Sequence, residues 1–332
     1  CIRDRVECRA KEGKHINTIK EDLEALVDKR LHWTLLTLPI LGIVIFTILP
    51  LVFMICMAFT SYSKVGDHLT IFHWVGLKNF STVLGMGNSI GKTFWSVLGW
   101  TLIWAVLATF LNYILGMILA IVINRKTTRI KGFWRFCFML SAAIPQFVSL
   151  LLMRTMLKDN GLINNLLVQA GLISSPLPFL TNATWARATV VIINLWVGIP
   201  FTMMQVTGIL QNIPGELYEA ARVDGAGPVT IFFKITLPYM LFVTTPYLIT
   251  TFTGNINNFN VIYLLTAGAP VPVGATAGKT DLLVTWLYKL TVDLQYFNVG
   301  AVVGILTFVI LAVVSLITYR NTGSYKNEEG FQ

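Results

Sequence analysis

Long uncharged stretches alternate with short charged ones along this chain. Leu31–Ser63, Thr93–Asn124, Phe136–Met153, Ala188–Gly215, Ile235–Gly278 and Leu294–Tyr319 contain no Asp, Glu, Lys or Arg, and run for 33, 32, 18, 28, 44 and 26 residues. About 20 apolar residues in a helix cross the ~30 Å hydrocarbon core of a bilayer. Each stretch therefore predicts one membrane-spanning helix, six in all, because only helices or closed barrels satisfy the backbone in lipid. The 44-residue stretch is long enough for two, but its second half, Ala267-Gly268-Ala269-Pro270-Val271-Pro272-Val273-Gly274, is turn chemistry. Residues 160–186 are uncharged until Ala186 but are broken by Gly161, Gly171, Pro176 and Pro178, which predicts a surface loop with a short helix.

Composition agrees. Hydrophobic residues make up 55% of the 332, charged residues 12%, and mean hydropathy is +0.69. A soluble domain carries about a quarter charged residues, so an ordinary globular enzyme is excluded. The net charge of +9 and pI near 9.4 invite a nucleic-acid reading, but their distribution answers it. With the N-terminal arm cytoplasmic, the inner segments hold 17 of the 25 Lys and Arg, the outer segments hold 7, and Arg154 sits near the outer end of the third span. That is the positive-inside bias; it predicts two cytoplasmic termini, a basic arm over residues 1–30 and a tail over 321–332. Residues 16–30 fit either an amphipathic helix at the inner surface or a solvated arm. Four cysteines make no disulfide framework or zinc spacing. The chain opens on Cys1, no signal peptide is visible, and an incomplete native start is expected.

One loop between spans four and five stands apart. Pro214 suits a first helical turn, Glu216 favours the positive end of the helix dipole, and Gly225 suits a left-handed helix stop. A short helix over Pro214–Asp224 is expected, with a second starting after Pro228 and entering the membrane at Pro238. Such a knob suits docking onto a partner, and equally suits capping the bundle. The loop reads Glu219-Ala220-Ala221, then three residues to Gly225, nine to Ile235, and Leu237-Pro238. This fills every position of E-A-A-x3-G-x9-I-x-L-P and resembles the EAA loop of ABC importer permeases. The resemblance implies an all-α membrane domain of six helices, the type I importer fold. Its coupling helix would present Glu219, Ala220, Ala221, Asp224 and Gly225 to an ATPase subunit.

Gly254 through Thr266, Lys279 through Trp286 and Asn194 through Phe201 are similar to maltose-type (MalF-like) carbohydrate permeases, over roughly residues 30–320. The long insertion of the maltose protein after its first core span is missing. Many such chains carry two further spans upstream, and the same is expected here. The resemblance implies a subunit of an ATP-driven importer that moves a carbohydrate, an oligosaccharide, by alternating access across a bacterial cytoplasmic membrane. Its implied partners are a second permease, two ATPase subunits that bind ATP and magnesium, an extracytoplasmic binding protein and the sugar. No cofactor is expected in this chain. No Ser-His-Asp set, paired carboxylates or metal cluster is evident, and Gly274 through Thr280 has one residue too few for a phosphate loop.

Polar side chains at membrane depth carry a desolvation cost and mark function or helix-helix contact. At helical spacing Thr251, Asn255 and Asn258 share a face, and amides both donate to and accept from hydroxyls. The resemblance implies a sugar site of Ala142 and Gln146 in span three, Asn194, Val197, Gly198 and Phe201 in span four, and Thr251, Gly254, Asn255 and Asn258 in span five. Gly198 would leave room for a sugar ring. Phe201 and Ala142 replace tyrosines and Gly254 replaces a phenylalanine, which implies a wider cavity than maltose needs. The alternative is an ion-coupled secondary transporter. It fits less well, because no Asp or Glu falls within the six stretches.

Overall fold

The computed structural model describes residues 31, 33, 35–63, 73–125 and 127–320. The basic arm, the tail and the amphipathic segment over 16–30 lie outside the described residues. The chain forms two compact units, Cys1–Met57 and Ala58–Gln332.

In the first unit, helix α1 (Leu35–Ala58) has a hydropathy of 2.9 and no charged residue along its length. A π turn over Val44–Ile48, where the Leu49 N–H donates to the Val44 carbonyl, precedes Pro50. Proline lacks an N–H and crowds the carbonyl four residues back, and a widened turn relieves that clash.

The second unit is helical throughout its described residues, apart from loops and one antiparallel bridge between Thr60 and Trp74. Its helices are α2 (Lys78–Leu84), α3 (Ser89–Asn124), α4 (Lys131–Ala143), α5 (Gln146–Met156), α6 (Leu162–Gln169), α7 (Ala183–Gln211), α8 (Gly215–Val223), α9 (Pro228–Ile256), α10 (Phe259–Leu265), α11 (Leu283–Tyr288) and α12 (Phe297–Arg320). Five helices of the described chain (α1, α3, α7, α9 and α12) are long and apolar enough to cross a membrane. The sixth expected span differs from the straight helix its 18 apolar residues predict. It is broken into α4 and α5, which meet at 85°. Pro145 explains the break: it stands between the helices, it cannot donate to the ladder, and it pushes Ile144 into extended backbone (ψ 128°). The short helix expected after Gly161 is α6.

Two apolar cores occupy opposite halves of the bundle. One joins Trp100, Trp104 and Ala108 of α3 to Leu150 of α5, Val190 and Ile193 of α7, and Val261 and Ile262 of α10. The other joins Tyr113, Met117 and Ile123 of α3 to Met203 and Val206 of α7 and Met240 of α9. Elsewhere large apolar side chains face outward, such as Phe308 at 70% exposure and Ile192 at 62%, a surface that suits lipid or a partner subunit rather than water.

The loop between α10 and α11 is bound tightly to the bundle. Asp281, wholly buried, accepts at Oδ1 from the Thr285 hydroxyl (2.9 Å) and at Oδ2 from the Gly278 N–H (2.6 Å) and Lys289 Nζ (2.6 Å). The Trp100 indole donates to the Thr280 carbonyl (3.2 Å) and the Leu283 N–H to the Thr101 hydroxyl (3.1 Å), tying the loop to α3. A Cβ on Gly278 would lie 1.8 Å from the Gly268 carbonyl oxygen, so the two strands of the loop meet where only glycine fits.

Removing one member of a buried ion pair leaves an uncompensated charge and costs about 3–5 kcal/mol. Asp281→Ala should therefore lower the melting temperature of the purified chain and its yield in membranes. An unchanged melting temperature would show that the loop does not depend on this pair.

Candidate functional site

Between the two apolar cores lies a layer of uncharged polar side chains drawn from α3, α7 and α9. On α3 it begins at a π turn over Leu107–Leu111. The extra residue in that turn changes the direction of the side chains that follow, a device common at functional sites. Thr109, inside the turn, accepts from Asn255 Nδ2 of α9 (2.9 Å). Just after it, Asn112 Oδ1 accepts from the Thr202 hydroxyl of α7 (3.3 Å), which in turn lies 3.3 Å from the Tyr247 hydroxyl of α9. Tyr113 and Thr244 pair their hydroxyls at 2.7 Å. The Thr109, Thr202 and Thr244 side chains are at most 2% exposed.

The expected sugar-site residues separate into three groups. Asn255 belongs to the helix-helix contact. Besides donating to Thr109, its Oδ1 accepts from Asn258 Nδ2 (3.3 Å) and its backbone carbonyl from the Trp104 indole (3.1 Å). Asn258 caps α10, accepting from the Val261 N–H (3.3 Å). It does not share a continuous helical face with Thr251 and Asn255, because α9 ends at Ile256 and the chain turns at Asn257. The run Asn255-Ile256-Asn257-Asn258 reads as a break once its capping chemistry is considered, since asparagine competes for backbone groups and favours turns and N-caps.

Asn194 and Gly198 form the second group, on the face of α7 that carries Thr202. Asn194 is 7% exposed and forms no side-chain hydrogen bond among the described residues. It is the amide in the layer with donors and acceptor uncommitted. Gly198 is needed for a reason different from the one expected. A Cβ there would lie 2.0 Å from Asn112 Nδ2, so the space it leaves is held by the Asn112 amide. Gly116 on α3 makes room in the same way, since a Cβ there would lie 2.7 Å from the Thr202 side chain. The third group is open to the surface of the isolated chain. Phe201, Gly254 and Gln146 are exposed, and Val197, Thr251 and Ala142 are half-buried. Asn112, Thr202 and Tyr247 were missed by sequence reading. The signal was present as i, i+4, i+8 spacing of Asn194, Gly198 and Thr202, but Asn112 depends on a π turn that no periodicity announces.

At the other end of α7 the expected short helix is present. Helix α8 runs from Gly215 to Val223, with Glu216 in its first turn and Arg222 in its last. Gly225 adopts φ +77°, and the Ala226 N–H reaches back to the Ala221 carbonyl (2.9 Å), the six-to-one bond of a left-handed helix stop. Tyr218 and Ala221 turn inward; the Tyr218 hydroxyl lies 3.2 Å from that of Thr236, which fixes α8 to α9. Glu219, Ala220, Asp224 and Gly225 are exposed, as are Leu217 at 45% and Val223 at 88%. The apolar pair adds a sticky patch to the charged knob.

A long bundle with a bent span, a polar mid-layer and a rigid end knob is the architecture of a permease. Residues 112–322 match the family described as binding-protein-dependent transport system inner membrane component, and the chain belongs to that family. It is similar to the galactooligosaccharides transport system permease protein GanP of Bacillus subtilis, 36% identical over 321 residues, covering 96% of this chain and 76% of that protein. It is equally similar to the maltodextrin transport system permease protein MdxF of the same organism, 36% over 332 residues, 96% of this chain and 75% of that protein. A chain from the crystal structure of a bacterial ABC transporter involved in the import of the acidic polysaccharide alginate has the same fold (TM-score 0.69, 23% identity, 90% of this chain and 97% of that one). The chain is thus a membrane-embedded transport component rather than an enzyme, and the secondary-transporter alternative is set aside.

The two asparagines should diverge under mutation. Asn255→Leu strands Thr109 and Asn258, at about 1–3 kcal/mol for each buried group left unpaired, and should lower the yield of assembled complex. Asn194→Leu breaks no side-chain hydrogen bond among the described residues. It should leave the yield intact and slow uptake per complex about ten-fold, the equivalent of about 1.4 kcal/mol. Normal uptake per complex with Asn194→Leu would remove Asn194 from the translocation path.

Proposed function

We propose that this chain is one of two permease subunits of an ATP-driven ABC importer that carries a neutral oligosaccharide into the cytoplasm by alternating access. The observation that carries this is the mid-depth layer, in which amides and hydroxyls from α3, α7 and α9 converge with no Asp, Glu, Lys or Arg among them. Uncharged donors and acceptors match sugar hydroxyls, whereas a charged solute would meet no counter-charge at the depth where desolvation costs most. Relatives named for galactooligosaccharides and maltodextrin support the same class. Within the layer Asn194 contacts the sugar directly, with Val197, Phe201, Thr251, Gly254, Ala142 and Gln146 around it. Asn255 and Asn258 hold the helices that frame it.

The energy comes from two ATPase subunits, which bind ATP and magnesium. One of them receives α8 through Glu219, Ala220, Asp224, Leu217 and Val223. Because α8 is tied to α9 by Tyr218, a push on the knob moves the helix that carries Tyr247 and Asn255. An extracytoplasmic binding protein delivers the sugar, and a second permease completes the path. The protein resides in a bacterial cytoplasmic membrane with α8 inside and the α10–α11 loop outside, following the Lys and Arg bias.

The class is tested by reconstituting the assembled complex and following uptake of labelled neutral oligosaccharides. ATP-dependent uptake is expected, and its absence for every neutral oligosaccharide would overturn the reading. Orientation is tested with Thr230→Cys and Val292→Cys, both at exposed positions, in a background without native cysteines. They should label from opposite sides, Thr230→Cys from the cytoplasm; labelling of both from one side would refute the topology. Coupling is tested with Gly225→Val and Glu219→Lys. No atom lies near a Cβ on Gly225, so the penalty of valine there is backbone strain at positive φ, about 1–3 kcal/mol. Both variants should assemble but lose substrate-stimulated ATP hydrolysis, and full stimulation in both would reduce α8 to a cap on the bundle.

A further inference from the structure

A cavity of about 460 Å3 opens at the end of the bundle away from α8. Its wall is made by the first turns of α3 and α7 and by the α10–α11 loop, and it gathers Lys92, Arg187 and Lys279. None of these three cations is paired with an acid among the described residues. Arg187 is half-buried, spends its Nε on the Lys279 carbonyl (2.8 Å), and lies 4.5 Å over the ring of Trp100. Its two terminal nitrogens form no hydrogen bond within the described chain, and a guanidinium so presented matches a carboxylate with a two-pronged fit. Asp281 also borders the cavity, but Lys289 neutralises it and its oxygens are already engaged. The site is therefore strongly cationic. Lys279 stands on the loop that Asp281 organises, while Lys92 and Arg187 stand on α3 and α7, so all three cations are carried on ordered elements rather than on a mobile segment.

We propose that this cavity receives acidic side chains of the extracytoplasmic binding protein when it docks. The proposal rests on the function and orientation given above. Two features favour a protein carboxylate over a sugar. The Trp100 face, on which a sugar ring would stack, is covered by Arg187. An acidic saccharide leaving the cavity would then enter a mid-membrane layer with no cation to meet it, at a steep desolvation cost. A docked protein presents its carboxylates and withdraws them without crossing the membrane. Three converging cations also accelerate encounter with an acidic partner.

The test uses the assembled complex in lipid nanodiscs with its own binding protein, and reads the binding-protein concentration that gives half-maximal stimulation of ATP hydrolysis. Lys92→Gln combined with Lys279→Gln is the primary variant, since both side chains are exposed and neither makes a side-chain hydrogen bond, so assembly is spared. That concentration should rise about ten-fold at low salt, with the maximal rate regained at saturation. The difference from the native complex should shrink in about 1 M salt, where the screening length falls to about 3 Å. Lys92→Glu with Lys279→Glu should raise it further. An unchanged half-maximal concentration at low salt overturns the proposal. So does an unchanged concentration accompanied by selective loss of uptake of uronate-bearing over neutral oligosaccharides, which would assign the cavity to sugar. A native complex that binding protein fails to stimulate refutes the importer reading itself and the docking site with it, and that failure is distinguishable because it precedes any variant.

Discussion

Everything in this bundle is arranged around the cost of holding polar groups at the middle of a membrane. Water cannot satisfy them there, so each must find a partner within the protein or a solute that passes through. The second unit meets that constraint by stacking apolar core, polar layer and apolar core along α3 and α7, with α5 and α10 completing the first core and α9 completing the layer and the second core. Residues 100–108 and 113–123 of α3 serve the two cores, and Thr109 and Asn112 between them serve the layer. The apolar halves hold the helices together while the layer between them remains free to deal in hydrogen bonds.

The layer is closed on one side and open on the other. Thr109 with Asn255, Tyr113 with Thr244, and Asn112 with Thr202 and Tyr247 satisfy one another. Such bonds register α3, α7 and α9 against each other more than they strengthen them, since interhelical hydrogen bonds in membranes average only about 0.6 kcal/mol. Glycine makes the register possible, because Gly116 and Gly198 let α3 and α7 approach until a methyl group would collide. Asn194 stands apart, a mostly buried residue whose amide makes no hydrogen bond among the described residues. Its amide is not sealed from solvent, since the buried side-chain polar atoms left without a partner among the described residues are Arg135 Nε and Asn298 Oδ1, so its hydrogen-bonding groups stay accessible.

The two ends of the bundle use rigidity differently. At one end α8 is stopped sharply at Gly225 and tied to α9 through the Tyr218 hydroxyl, so its exposed face is held in a fixed orientation. At the other, the buried Asp281–Lys289 pair fixes a loop that sets Lys279 beside Lys92 of α3 and Arg187 of α7. Both devices rely on short local bonds that position a surface, and in both the surface is left exposed among the described residues.

By itself the sequence determined the class, the long apolar spans, the short helix after span four and its glycine stop. These follow from composition, run length and capping, all of which are local or additive properties that survive without knowledge of neighbours. It also pointed at the polar residues of spans four and five as a group. Their division of labour was decided only by the tertiary structure. Asn255 and Asn194 are the same residue type in similar apolar contexts, and which one is bonded depends on whether α3 places Thr109 opposite it. That placement hangs on a π turn, and the bend of span three hangs on Pro145 acting where neither flanking helix was compelled to continue. The glycine at 198 was legible as a need for space, but what fills the space is Asn112, some 86 positions earlier in the chain. Contacts between residues so far apart leave no periodic trace, because the energy that selects them is realised only when the helices pack.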